Sequence, residues 1–239
     1  MPRQPRFVLV GHPQHVIIRG NNREPIFYVD KDYQYYLEKL EQACNKHECE
    51  VHAYVLMTNH VHLLITPYRE NGVSKAIQML GRYYVQYFNK SYKRTGTLWE
   101  GRYKASLVDS ANYALTCYRY IELNPVRANM VKHPAEYPWS SYRFNGVGKP
   151  NSLVIPHKLY LSLGSTFSEC CTAYRELFNG HINEMTLDLI REATNKSWVV
   201  GNDYFKKKIS KEANRQVEPI QRGGDRRSKE FKVRGSNRV

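Results

Sequence analysis

The sequence predicts an α+β fold followed by a mostly helical extension, on three observations. Residues 51–57 and 60–66 are two apolar runs separated only by Thr58-Asn59, a strand–turn–strand pattern. Stretches starting near Asp30 and Val73 repeat apolar residues at three- and four-residue intervals, which is helical spacing. A further apolar run at 15–19 precedes the first of these helices, so strands and helices alternate along one chain.

Taken in order, residues 1–11 are basic and contain Pro2 and Pro5, the composition of an extended arm feeding the strand His15-Val16-Ile17-Ile18-Arg19. Gly20-Asn21-Asn22-Arg23 reads as a turn, because Gly and Asn tolerate positive φ. Its side chains suit either phosphate and base contacts or an ordinary connection. Asp30 is placed to cap a helix running to about Lys46, with Tyr33, Tyr36, Leu37, Leu40 and Ala43 on its apolar face. From Val73 to about Lys93, Ile77, Leu80, Tyr84, Tyr87 and Phe88 form a core stripe, with Lys75, Arg82, Lys90 and Lys93 outside it.

Residues 93–103 interleave cations, glycines and aromatics ahead of a strand near 103–108. There Trp99 either stacks on a base or plugs the core, and Tyr103 is a second stacking candidate. The next helix starts at Asn112, buries Ala114, Leu115, Tyr118 and Ile121, and stops at Pro125. Tyr120 falls off that stripe, as a surface residue would. Asn124 lies one turn further on, at a frayed end where its side-chain oxygen can turn toward a ligand.

A Pro- and Gly-rich stretch up to Pro156 marks a boundary. The expected organisation is a domain over 1–145, a mostly helical extension over 146–220 to which no motif gives a role, and a basic tail over 221–239. The 239 residues suffice for one well-cored domain with a smaller appendage. A net charge of +14, with 19 Tyr against 8 Phe and 3 Trp, points to a polyanion with flat surfaces to stack on, as nucleic acid has. The five cysteines are an odd set with no C-x-x-C pair, so neither a zinc ribbon nor a disulfide framework is indicated, which suits the reducing cytoplasm. No leader is evident, and no apolar run approaches the roughly 20 residues of a membrane helix.

The chemistry concentrates in His60-Val61-His62. Residues two apart on a strand share a face, so both imidazoles point the same way on a rigid element, which suits a divalent metal; the plainer reading is two surface histidines. Together with Tyr120, the Asn124 amide and a basic aromatic surface, the pair fits strand cleavage by a phenol oxygen that keeps the phosphodiester bond energy in a phosphotyrosine. A Mg²⁺ or Mn²⁺ held by His60, His62 and Asn124 would stabilise the charge that develops. A histidine-triad nucleotide hydrolase would need a third histidine at position 64, which is Leu64.

His60-Val61-His62 resembles the His-hydrophobe-His motif of the HUH endonucleases, and residues 120–128, Tyr-Ile-Glu-Leu-Asn-Pro-Val-Arg-Ala, resemble the signature of single-tyrosine transposases. With Arg19-Gly20-Asn21-Asn22-Arg23, the Leu-Met-Thr-Asn-His-Val-His run at 56–62 and the Gly-Thr-Leu-Trp-Glu-Gly-Arg run at 96–102, residues 5–145 resemble the REP-associated tyrosine transposases. The resemblance implies a ferredoxin-like antiparallel sheet with helices. It implies cleavage of single-stranded DNA beside palindromic hairpins through a 5′-phosphotyrosine, in a cytoplasmic, nucleoid-associated monomer, with a dimer as the alternative. Tyr120 then matches the nucleophile, His60 and His62 the metal ligands, and Asn124 the third ligand, where related enzymes use Gln, His or Glu. The DNA contacts fall to Arg19, Asn21, Asn22, Arg23, Arg82, Trp99, Arg102, Tyr103 and Arg127. The rival from another class is a non-cleaving hairpin binder of DNA, or of RNA, that keeps the fold and motifs.

Overall fold

The computed structural model describes residues 6–7 and 9–219. Part of the expected N-terminal arm and the whole basic tail at 221–239 lie outside the described residues. The elements run β1 (Gln14–Arg19), α1 (Asp30–Lys46), β2 (Cys49–Met57), β3 (His60–Pro67), α2 (Gly72–Ser91), β4 (Lys104–Val108) and α3 (Ser110–Glu122). There follow α4 (Asn124–Arg127), α5 (Tyr142–Asn145), α6 (Lys158–Leu161), α7 (Phe167–Glu176), α8 (Glu184–Lys196), β5 (Val199–Val200) and α9 (Asp203–Glu212). The sheet order is β2-β3-β1-β4-β5, with the first four strands antiparallel to their neighbours. The βαββαβ chain order with this strand order is the ferredoxin-like arrangement. The extension after residue 146 is mostly helical, and its β5 adds to β4 in parallel.

Both faces of the sheet are covered. On one, Val16, Ile18, Val61, Leu63 and Ile65 pack against Tyr36 and Leu40 of α1 and Leu80 and Tyr84 of α2. On the other, Val55, Met57, Leu64 and Val108 meet Tyr118 and Ile121 of α3 and Leu187 and Ile190 of α8. In the β1–β3 register Ile17 opposes His62 and Arg19 opposes His60, so the histidine pair sits on the α3 side. The outer margin of β2 is occupied too: Leu56 N donates to Trp139 O, Ser141 N to Tyr54 O and Ile155 N to Val51 O. Beyond β4 lies β5, where Val199 N donates to Val217 O.

Several local expectations are corrected. The carboxylate that caps α1 is Asp32, not Asp30: its Oδ2 accepts from Tyr28 N at 2.8 Å and Tyr92 Oη at 2.7 Å, and its Oδ1 from Tyr87 Oη at 2.9 Å. The helix expected from Asn112 starts at Ser110, because Asp109 caps it through Ala111 N. Pro125 does not stop the chain's helical path. It occupies the first turn of α4, where a missing N–H costs nothing.

Glu122, in the last turn of α3, joins this helix to the extension. Fully buried, it accepts from Ser141 Oγ at 2.5 Å, Asn145 Nδ2 at 2.8 Å and Tyr174 Oη at 2.6 Å. Burial pushes its carboxyl up from 4.5 to about 7, against the opposing pull of the three donors. The folded chain therefore retains this proton where the unfolded chain has lost it, and the group's contribution to stability declines as pH rises from 4.5 to about 7. In urea unfolding at pH 5 and pH 8, Glu122→Gln is expected to lessen that decline. Glu122→Ala should lose roughly 3 kcal/mol or more, since each orphaned buried donor costs about 1–3 kcal/mol.

Candidate active site and nucleic-acid surface

His60 opens β3 and His62 follows two residues on, with ring centroids 5.1 Å apart at 75°. Each imidazole is held by its Nδ1. His60 Nδ1 lies 2.6 Å from Asn59 Oδ1, and the same amide donates Nδ2 to Arg23 O at 2.8 Å. The amide orientation is thereby fixed, and the oxygen facing His60 accepts a proton from Nδ1. His62 Nδ1 lies 2.8 Å from Nε2 of His15 on β1, whose Nδ1 is 2.8 Å from Thr194 Oγ1 on α8. Burial lowers His15 to about 3, with Arg127 adding to the effect, and lowers His60 to about 4, with Arg19 adding. His62 falls well below the usual imidazole range, through burial and then through the neighbouring His15 and His60. All three rings are neutral at pH 7, the state in which an imidazole has a lone pair for a cation.

Tyr120 stands over this group. Its ring is 5.5 Å from His15 and 5.9 Å from His62, both edge-on. The expectation of a surface residue is wrong: Tyr120 is only 5% exposed, because α3 packs against the sheet and against the extension, so two of its sides are buried. Arg127 lies with its guanidinium carbon 4.5 Å from the Tyr120 ring centre and donates to Tyr120 O. The tyrosine hydroxyl has no hydrogen-bond partner among the described residues. Asn124 is half-buried rather than frayed. Its Nδ2 donates to Tyr120 O at 3.1 Å and to Ile121 O at 3.3 Å, which leaves Oδ1 without a hydrogen bond among the described residues.

Among the described residues no three His, Cys, Asp or Glu side chains converge on one point. The donor set for a cation is thus two neutral imidazoles and, on the chain just after Tyr120, the unpaired amide oxygen of Asn124. It fits a divalent ion whose remaining positions are filled by substrate oxygens or water.

The other predicted contacts divide between two faces. Arg82, Trp99, Arg102 and Tyr103 line a groove of about 710 Å³ on the α2 side, together with Arg6, whose guanidinium lies 3.6 Å from the Tyr103 ring centre. Trp99 stacks at 5.9 Å on the buried Tyr84 and also lines the groove. Arg19 stands on the histidine face, opposite His60. Asn21, Asn22 and Arg23 form a 3-10 turn at the end of the sheet, with Asn22 and Arg23 at φ 51° and 60°. This turn is wedged between neighbours: Gly20 N donates to Asn59 O and Asn21 N to Leu98 O. Sequence reasoning missed His15, Asn59 and Thr194. Only the alternation of β1, which puts His15 in phase with Ile17 and Arg19, carried any signal for the first.

Residues 10–124, just under half of the chain, match the family described as "Transposase IS200 like". The fold is similar to that of a REP-associated tyrosine transposase bound to a REP hairpin, at 18% identity and a TM-score of 0.50 over 66% of this chain and 93% of that one. A protein of Deinococcus radiodurans R1 described as a transposase is 22% identical over 51% of this chain and 96% of its own, with a TM-score of 0.35. No curated protein matches the sequence. Among the described residues no helix is long and apolar enough to cross a membrane.

Gly20 ties the turn to the histidine strand. A Cβ there would stand 2.3 Å from Glu24 O and 2.8 Å from the Ile26 side chain. Gly20→Ala should therefore lower the unfolding free energy measured in urea by about 1–3 kcal/mol, as an overpacked site does.

Proposed function

We propose that this chain cleaves and rejoins single-stranded DNA at palindromic, REP-like hairpins, with Tyr120 as the nucleophile. The observation that carries the reading is the placement of Tyr120 edge-on to His62 on one face of the sheet, with neutral imidazoles below and Arg127 against the phenol ring. The phenol gives up its proton as its oxygen forms a bond to phosphorus, the phosphorus–O3′ bond breaks, and the departing oxygen takes up a proton to become a 3′-hydroxyl, so that no net proton is gained or lost. The phosphate stays on the 5′ end of the other fragment as a phosphotyrosine, ready for the reverse attack.

His60, His62 and the Asn124 oxygen would hold the Mg²⁺ or Mn²⁺, which when bound polarises the scissile phosphate. Two imidazoles without a carboxylate favour Mn²⁺ of these two. Arg127 is suited to meet a phosphate oxygen beside the phenol with a charge-assisted hydrogen bond. On the far face of the sheet, the groove gathers three arginines around Trp99 and Tyr103, the combination that binds a phosphate backbone and stacks its bases. Arg19 and the turn through Asn21, Asn22 and Arg23 lie where a strand leaving the groove would cross the sheet end toward His60. Tyr120 lies against His15 and His62 of its own chain, which favours a monomer working with its own tyrosine. The working unit includes the 146–220 extension, which supplies Thr194 and Tyr174.

The burial of Tyr120 favours a second reading, a hairpin binder that does not cleave. A labelled hairpin with single-stranded flanks, incubated with Mn²⁺ and run on a denaturing protein gel, separates the two. Cleavage predicts a covalent protein–DNA band that needs the metal and is absent in Tyr120→Phe. Hairpin binding without that band across several flanks would leave the binder reading standing. In equilibrium binding to the same hairpin, Trp99→Ala is expected to weaken affinity about tenfold, since losing one base stack costs about 1–3 kcal/mol.

A further inference from the structure

We infer that His15 is a positioning residue: with Thr194 it fixes the tautomer of His62 so that the His62 Nε2 lone pair is presented to the divalent cation. The inference rests on the reading of His60 and His62 as cation ligands, and it follows from counting protons along one chain of hydrogen bonds.

The count starts at α8. Thr194 Oγ1 is 2.8 Å from Ile190 O, a carbonyl that can only accept, so the single hydroxyl proton of Thr194 is committed there. Two further groups reach the same oxygen, His15 Nδ1 at 2.8 Å and Ser106 Oγ at 3.0 Å, and both must donate, which fills its two lone pairs. His15 is fully buried, and its polar contacts are Thr194 and His62, with no carboxylate among them. A buried imidazole without an acidic partner is neutral and carries one proton. That proton is on Nδ1, so Nε2 is bare. The 2.8 Å contact between His15 Nε2 and His62 Nδ1 then requires the proton to be on His62 Nδ1. His62, neutral in its turn, keeps its lone pair on Nε2.

The same outcome is reached independently at His60, where the Asn59 oxygen accepts from Nδ1. Both imidazoles thus present the same nitrogen before any cation arrives, one set by a surface turn and the other by a wholly buried relay. A neutral imidazole in water exchanges between its tautomers, and a site lacking the relay would have to select the right one on binding. The relay also gives a role to α8, since Thr194 lies in the extension to which no motif assigns one.

The test begins with the metal-free protein. Nitrogen-15 NMR of the histidine rings should show a protonated Nδ1 and a bare Nε2 on His62 in the wild type. Thr194→Val keeps the shape and removes the acceptor. It is expected to let the His15 proton move to Nε2 and so to place the His62 proton on its own Nε2. Mn²⁺ affinity, measured by electron paramagnetic resonance, should fall about 10- to 100-fold in that variant, the usual effect of removing an outer-shell partner. Thr194→Ser, which restores the hydroxyl, should recover both the ring pattern and the affinity. A bare Nδ1 on His62 in the wild type overturns the inference without recourse to any variant. So does unchanged Mn²⁺ affinity in a Thr194→Val protein whose His62 tautomer has switched. The expected wild-type ring pattern with no Mn²⁺ binding would instead overturn the ligand reading of the histidine pair, and the two failures are distinguishable.

Discussion

The polar groups buried in the middle of the sheet find their partners inside the protein, because helices cover both faces. An antiparallel sheet commonly keeps one face wet, and here that freedom is gone. The consequence is a set of closed polar clusters. His15, His62, Ser106 and Thr194 satisfy one another across β1, β3, β4 and α8. Asp32 gathers two backbone amides and two tyrosine hydroxyls at the start of α1. Glu122 gathers a serine, an asparagine and a tyrosine at the end of α3. In two of the three, a residue from the extension closes the network, so the histidine face and the Tyr120 helix are shaped by chain far downstream of the recognisable motifs.

That dependence also marks the limit of what the sequence discloses. Helix and strand periods found α1, α2 and the β2–β3 hairpin, since each carries its apolar pattern in consecutive residues. The order of strands came from the motif resemblance, because strand pairing is not written in local spacing. Tyr120 was misplaced for a related reason: a stripe drawn on α3 allows for one packing partner, and this helix has two. His15 was illegible as a site residue because only the β1–β3 register brings it to His62, 47 positions away. The abundance of tyrosine, read as a stacking surface, is in part interior: Tyr36, Tyr84, Tyr118, Tyr142, Tyr160 and Tyr174 are all fully buried. Several of their hydroxyls serve as donors inside the core, among them Tyr84 to Ile26 O and Tyr160 to Asn145 O.

The separation of the aromatic groove from the histidine face gives the Gly20 turn particular weight. Its backbone bonds the 58–59 turn on one side and Leu98 on the other, so the strand that carries His60 and the loop that carries Trp99 are fastened through the same few residues. Asn59 extends that fastening to the imidazole itself. A shift of the turn would move the groove wall and the His60 ring together. This makes the segment a mechanical link between the two surfaces, quite apart from any contact its own side chains make.

The covering of β2 by the 139–141 and 153–155 segments, and of β4 by β5 and then Val217, has a bearing on how this chain meets other chains. Bare strand margins invite a second polypeptide to zip on through its backbone, the route by which many sheets become fibrils or swapped dimers. Here those margins are already spoken for within the molecule. For the described residues, contact with another copy or with a different protein is thereby directed to side chains on helices and loops. Such contacts can be tuned one substitution at a time, whereas backbone zippering cannot.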